Sequence, residues 1–159
     1  MALFGFQSKK KLQERAEDLI ITAQVDADLA NKTDYFETFM EYYDEILASF
    51  KELCEISDRI KLKGISGDPK YDYYKLKNDQ QWHMRDALER EYDQIVKGGT
   101  TIYRNNRGRT IASYETFQET IQKYSDQFDE ETSAFAKNLL KKLTLKFNIQ
   151  SETAEMPSA

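Results

Sequence analysis

The chain holds a single cysteine, Cys54, which excludes an intrachain disulfide and any metal site built from several thiolates. Its single histidine, His83, excludes a di-iron bundle, since that site needs two Glu-x-x-His motifs. Glycine and proline are scarce, at six and two residues. An all-β fold needs turn residues about every 8–12 positions, so the chain points away from one. No stretch approaches the ~20 apolar residues of a membrane span. The opening MALFGFQSKKK carries its charges after an apolar run too short for a secretory signal. There is no Walker loop, no dinucleotide glycine fingerprint and no nucleophile elbow. These absences lead to the expectation of a soluble cytoplasmic protein with no cofactor and no catalytic motif.

What is present is charge and helical periodicity. Charged residues make up 32% of the 159, with a net charge of −5, a mixed surface unlike the basic footprint of a nucleic-acid binder. The length suits one domain with a real core, read here as residues 8–148, after an apolar N-terminal segment 1–7 and before a disordered tail 149–159.

Four long helices are expected. The first, from Ser8 to Leu29, places Leu12, Ala16, Leu19, Ala23 and Ala30 on one face, with Ile20 and Ala27 beside them. The second carries Phe36, Phe39, Tyr43, Ile46, Phe50, Leu53, Ser57 and Ile60 in alternating steps of three and four, a heptad seam that runs on to Gly64. Pro69 after Asp68 opens the third, which reaches Lys97. There Tyr71, Tyr74, Leu88, Tyr92 and Ile95 keep a seam whose centre, Asn78, Gln81 and Arg85, is polar. That centre reads as a surface-facing turn, a satisfied core network, or a ligand pocket walled by Tyr71, Tyr74 and Trp82. The fourth, from Ser113 to Phe147, repeats the seam through Phe117, Ile121, Tyr124, Phe128, Phe135, Leu139 and Leu143. Short connections between long helices make an all-α, up-down-up-down four-helix bundle the simplest assembly.

Between the third and fourth helices lies TTIYRNNRGRT, residues 100 to 110. No carboxylate occurs from Gln94 to Tyr114, while Lys97, Arg104, Arg107 and Arg109 all do. Thr100–Tyr103 and Arg109–Ile111 are β-prone and flank Asn105, Asn106, Arg107 and Gly108, where Asn and Gly tolerate the left-handed conformation of a tight turn. The stretch is expected to be a short β-hairpin or ordered loop, hinged at Gly98 and Gly99. Two readings stand. Its arginines solvate a turn and pair with acids such as Glu91, Asp93, Asp26, Asp28 and Asp34, or they grip an anionic partner through paired hydrogen bonds. In the second reading Tyr103, Arg104, Asn106, Arg107 and Arg109 form the contact surface.

Other stretches of the chain carry further chemical possibilities. Phe4 and Phe6 beside Lys9, Lys10 and Lys11 pair an apolar plug with a polybasic patch, the pattern of docking on an anionic membrane. Asp79, His83 and Asp86 share one helix face, a spacing that permits metal ligation. Glu52-Leu53-Cys54-Glu55, with Asp58 a turn further on, resembles the magnesium-binding helix of the all-α nucleotide pyrophosphohydrolases, the MazG and dimeric dUTPase group. The resemblance covers those few positions. The family's second motif, E-x-x-D on the next helix, has no match, the nearest acids being Asp86, Glu89 and Asp93. What it implies is that Glu52, Glu55 and Asp58, with Asp86 or Glu89, would hold Mg²⁺ against a triphosphate and activate water. Cys54, on the apolar flank of its helix, is expected to be a buried structural thiol.

The leading expectation is a non-enzymatic helical bundle acting as a macromolecular interaction module. Its partner is expected to be another protein, with self-association open and a membrane or nucleic acid behind both. The alternatives are the magnesium-dependent phosphohydrolase and the membrane-docking protein.

Overall fold

The computed structural model describes residues 8–100 and 107–150. Among these residues all regular structure is helical: α1 (Lys9–Lys32), α2 (Phe36–Ser57), α3 (Pro69–Gly99), α4 (Arg107–Tyr124) and α5 (Glu130–Phe147), with a 3₁₀ turn at Ser125–Gln127. The all-α class stands, but the described residues form five α-helices where four were expected. The chain divides into two compact units, one taking in residues 8–32 and 38–80 and the other 33–37, 81–100 and 107–150.

In the first unit α1 buries the stripe its sequence announces, Leu12, Ala16, Leu19, Ala23 and Ala30. Leu12, Ala16 and Leu19 pack with Leu53 and Ile56 of α2, and Phe50, Ile60, Leu62 and Ile65 close over them. The helix α2 stops at Ser57, short of Gly64. The Ser57 hydroxyl donates to the Cys54 carbonyl at 2.9 Å, and Arg59 N–H bonds Ile56 at 2.9 Å, the tightened last turn of a helix that is ending. The following loop is tied to α1 by Gln13, whose amide exchanges two bonds with the Lys63 backbone, at 2.9 and 3.1 Å. Gly64 and Gly67 carry φ of 70° and 87°, where a Cβ would be strained. Asp68 then caps α3, its carboxylate accepting from Lys70 N–H at 3.0 Å.

The α3 register differs from the expected seam. Met84, Ala87, Leu88, Glu91 and Ile95 are buried, whereas Tyr71 and Tyr74 are 65% and 64% exposed. Asn78 also faces solvent. The polar centre arose from following the tyrosines. A stripe through half-buried Tyr73, Leu76 and Gln80 leads directly to Met84, without a polar interruption on the buried side beyond Gln80.

In the second unit the expected fourth helix is broken into α4 and α5. Phe128 is extended (φ −84°, ψ 138°), and Asp129 restarts the helix, its carboxylate accepting from Thr132 N–H at 2.7 Å ahead of Glu130 and Glu131. Side chains of α3 brace the break. The Gln81 amide donates to the Gln127 carbonyl at 2.8 Å and accepts from Asp129 N–H at 3.0 Å. Arg85 donates to the Thr132 hydroxyl at 3.1 Å and pairs with Glu131 at 3.3 Å. Of the polar centre, then, Gln81 and Arg85 are the satisfied network. The segment 33–37 is seated here too. Phe36 is fully buried, edge-to-face with Tyr124 at 5.8 Å and Phe128 at 5.9 Å.

The glycine hinge is also corrected. Gly98 and Gly99 are the last residues of α3, and a Cβ on Gly99 would lie 2.6 Å from the Phe147 ring, whereas one on Gly98 would meet nothing within 4 Å. Gly99→Ala is therefore expected to cost about 1–3 kcal/mol by overpacking. Gly98→Ala should stabilise by a few tenths to about 1 kcal/mol through helix propensity. Urea denaturation of the two variants checks the contrast, and equal shifts would contradict it.

Candidate interaction surface

The arginine stretch is only partly within the described residues, since Tyr103, Arg104 and Asn106 lie outside them. Its second expected strand is corrected: Arg109, Thr110 and Ile111 are in the first turns of α4. Arg107, the first residue of that helix, donates to the Phe147 and Asn148 carbonyls at 2.8 and 2.9 Å. A guanidinium beside the last carbonyls of α5 is well placed for the negative end of the helix dipole. Asn148 there turns left-handed (φ 51°), and the next residue, Ile149, is buried, its N–H bonded to Thr144 at 2.9 Å. Arg107 and Arg109 are both exposed, but Arg107 is committed to bonds within the protein.

Of the acids in the pyrophosphohydrolase resemblance, Glu52, Asp58 and Asp86 are held in ion pairs. Glu52 accepts two bonds from Arg15, at 2.7 and 3.0 Å, and this bond to Glu52 raises the Arg15 guanidinium above its usual value. Asp58 meets Lys70 at 2.7 Å, and Asp86 meets Arg90 at 3.3 Å. Glu55 and Glu89 are exposed. Among the described residues no three His, Cys, Asp or Glu side chains gather where they could hold a metal ion. Asp79 bonds Lys75 at 3.1 Å, and His83 is half-buried, edge-on to Trp82 at 5.0 Å. Cys54 is half-buried, with burial pushing its thiol up from the usual value, as for a structural thiol and not a reactive one.

For the membrane candidate, Phe4 and Phe6 lie outside the described residues, and Lys9, Lys10 and Lys11 are exposed on the first turn of α1. Among the described residues no helix is long and apolar enough to cross a membrane.

Two of the acids expected to pair with the arginine stretch, Glu91 and Asp26, are instead buried. Glu91, 5% exposed, accepts from the Phe36 N–H at 2.7 Å and so serves as an N-cap supplied to α2 from another helix. Burial holds its pKa up at about 7, against the opposing pull of that N–H. Beside it Arg90 donates to the Thr33 carbonyl at 2.7 Å. Asp26 sits in the buried stripe of α1, and its Oδ2 has no hydrogen-bond partner among the described residues. A hydrogen bond to Asp26 raises the Glu45 carboxyl above its usual value, with the Asp26 charge adding to it. The signal for Asp26 was present, three residues after Ala23 and four before Ala30, but an acid in an apolar stripe is easily assigned to the connection that follows.

The surface features that stand out are exposed apolar side chains in helical register. On α3, Tyr71 and Tyr74 project one turn apart, next to Lys75 and Asn78, both exposed. Tyr73, behind them, stacks edge-on with Tyr74 at 6.2 Å and receives the Lys77 ammonium 5.5 Å from its ring centre. On α1, Ile21, Val25 and Leu29 are 59%, 52% and 40% exposed, a second stripe that four-residue spacing announces and that the first stripe obscured.

Comparison of the chain with protein-family models, curated proteins and solved structures gives no match.

Proposed function

We propose that this is a non-enzymatic helical-bundle protein, its helices alternating up and down along short connections, that works by binding another protein. The observation that carries the reading is the pair Tyr71 and Tyr74, 65% and 64% exposed on one face of α3. Each ring left in water forgoes about 25 cal/mol per Å² that burial would recover. A helix holds both rings in fixed register, so a partner binds them at low ordering cost. Tyrosine is also the residue type that interfaces favour, with an apolar body and a hydroxyl able to bond at the rim. The ion pairs at Glu52, Asp58 and Asp86 support the same reading, because they give those acids a structural use. The arginine stretch remains a separate contact candidate through Arg104 and the exposed Arg109.

The test is affinity capture followed by reconstitution. The captured protein, once purified, is titrated by calorimetry with wild type, Tyr71→Ala/Tyr74→Ala and Arg104→Ala/Arg109→Ala. Arg107 is left intact because its bonds to Phe147 and Asn148 are structural. The tyrosine pair is expected to weaken binding about tenfold or more, as interface anchors do. Unchanged affinity in both variants, or no partner captured, would return these residues to solvated surface.

A further inference from the structure

We infer that the exposed stripe of α1 is the contact by which two copies of this chain associate, antiparallel about a two-fold axis through Val25. The stripe is separate from the tyrosine face of α3 and stands or falls by different substitutions. Ile21, Val25 and Leu29, 59%, 52% and 40% exposed, follow one another every four residues. On a helix of 3.6 residues per turn they form a single, slightly slanting ridge. Asp18 and Lys32 lie seven residues to either side of Val25, two turns away on the same face, and both are exposed. Thr22 and Asp28, three residues to either side, are exposed as well.

The sequence is self-complementary about Val25. A two-fold axis there sets Val25 against its own copy, Ile21 against Leu29, Asp18 against Lys32, and Thr22 against Asp28. Every position on the ridge thus receives a partner of fitting chemistry, as an isologous contact requires. A parallel arrangement in register would set Asp18 on Asp18, Asp28 on Asp28 and Lys32 on Lys32, like charges face to face, and so is disfavoured. The flanks also argue against a lipid occupant. Glu17, Asp18 and Asp28, all exposed, carry the wrong sign for an anionic surface, where lysine and arginine belong.

The ridge is short. From Asp18 to Lys32 it extends only about 20 Å at 1.5 Å per residue, so it falls below the ~800 Å² per partner of a standard stable complex. The association is accordingly a weak one that grows with concentration.

Sedimentation equilibrium of the full chain from about 10 µM to about 1 mM reads this directly. The weight-average mass is expected to climb from 18.7 kDa towards twice that value. Val25→Lys, at an exposed position where folding is checked by circular dichroism, should hold it at the monomer throughout. Asp18→Lys should weaken the dimer about fivefold or more, and Asp18→Lys/Lys32→Asp should restore it, because the exchange recreates each pair with its signs reversed. In a Cys54→Ser background, Val25→Cys should cross-link to its own copy under mild oxidation, while Asp18→Cys should not. A monomer at every concentration overturns the inference, as does a dimer indifferent to Val25→Lys. A charge exchange that fails to restore association overturns the antiparallel register. Monomeric protein that instead cosediments with phosphatidylserine vesicles in a Val25-dependent way would assign the ridge to a membrane surface.

Discussion

Phe36→Ala is expected to lower the stability of the second unit by about 3–5 kcal/mol, the range for deleting a fully buried phenylalanine. The ring is 0% exposed and lies edge-to-face with Tyr124 and Phe128, contacts that add to its area burial. Truncation leaves a cavity between residues of α4 and the turn that follows it, and the braced break at Gln81 limits how far those residues can collapse inward. Against a typical stability of about 5–15 kcal/mol, the loss is a large fraction of the whole. The adjacent Tyr35, 61% exposed, supplies the control, because Tyr35→Ala should stay within about 0.5 kcal/mol of wild type. Urea midpoints at constant slope measure both. Similar shifts in the two variants would show that the segment 33–37 is not seated as described.

Glu91 is expected to make the protein less stable as pH rises through the weakly acidic range. Its carboxyl has a pKa of about 7 when folded, above its ordinary value of 4.5. Below pH 4.5 both folded and unfolded chains hold the proton, and the residue contributes no pH dependence. Between 4.5 and 7 the unfolded chain releases it while the folded chain keeps it, so stability falls. Above 7 the loss levels off at on the order of 3 kcal/mol. Glu91→Gln keeps an oxygen for the Phe36 N–H and removes the titration. It should leave stability at pH 4 nearly unchanged, flatten the decline, and be more stable than wild type at pH 8. Glu91→Ala removes the cap itself and should cost about 1–2 kcal/mol at pH 4. Denaturation curves collected across pH decide the matter, and a glutamine profile parallel to wild type would refute it.

The two residues behind these expectations show where the sequence was legible and where it was not. Phe36 was readable because it belongs to an apolar seam, and α1 and α2 bury that seam much as periodicity says. Glu91 was not, because a pattern of apolar spacing counts every acid as solvent-facing, and its burial depends on a backbone N–H from another helix. The α3 register failed by the converse error. Tyr71 and Tyr74 count as apolar by composition, yet their rings are outside. The break before α5 was hidden by a seam step of seven, Phe128 to Phe135, that spans it without a slip. Its local signal, Asp129 followed by Glu130 and Glu131, is a helix start in its own right. At Gly99 the sequence suggested freedom of the backbone, where the structure uses the absence of a side chain to admit the Phe147 ring.

The clasp of Arg107 on the end of α5 has a mechanical consequence. A pull applied beyond residue 150 reaches α5 at its last turn, where Arg107 joins the Phe147 and Asn148 carbonyls to the first turn of α4. The load is therefore shared between both helices before α5 can peel, and it meets two parallel bonds together instead of one after another. A single lysine at position 107, with one ammonium in place of a planar fork, would let the same helix unzip from its end.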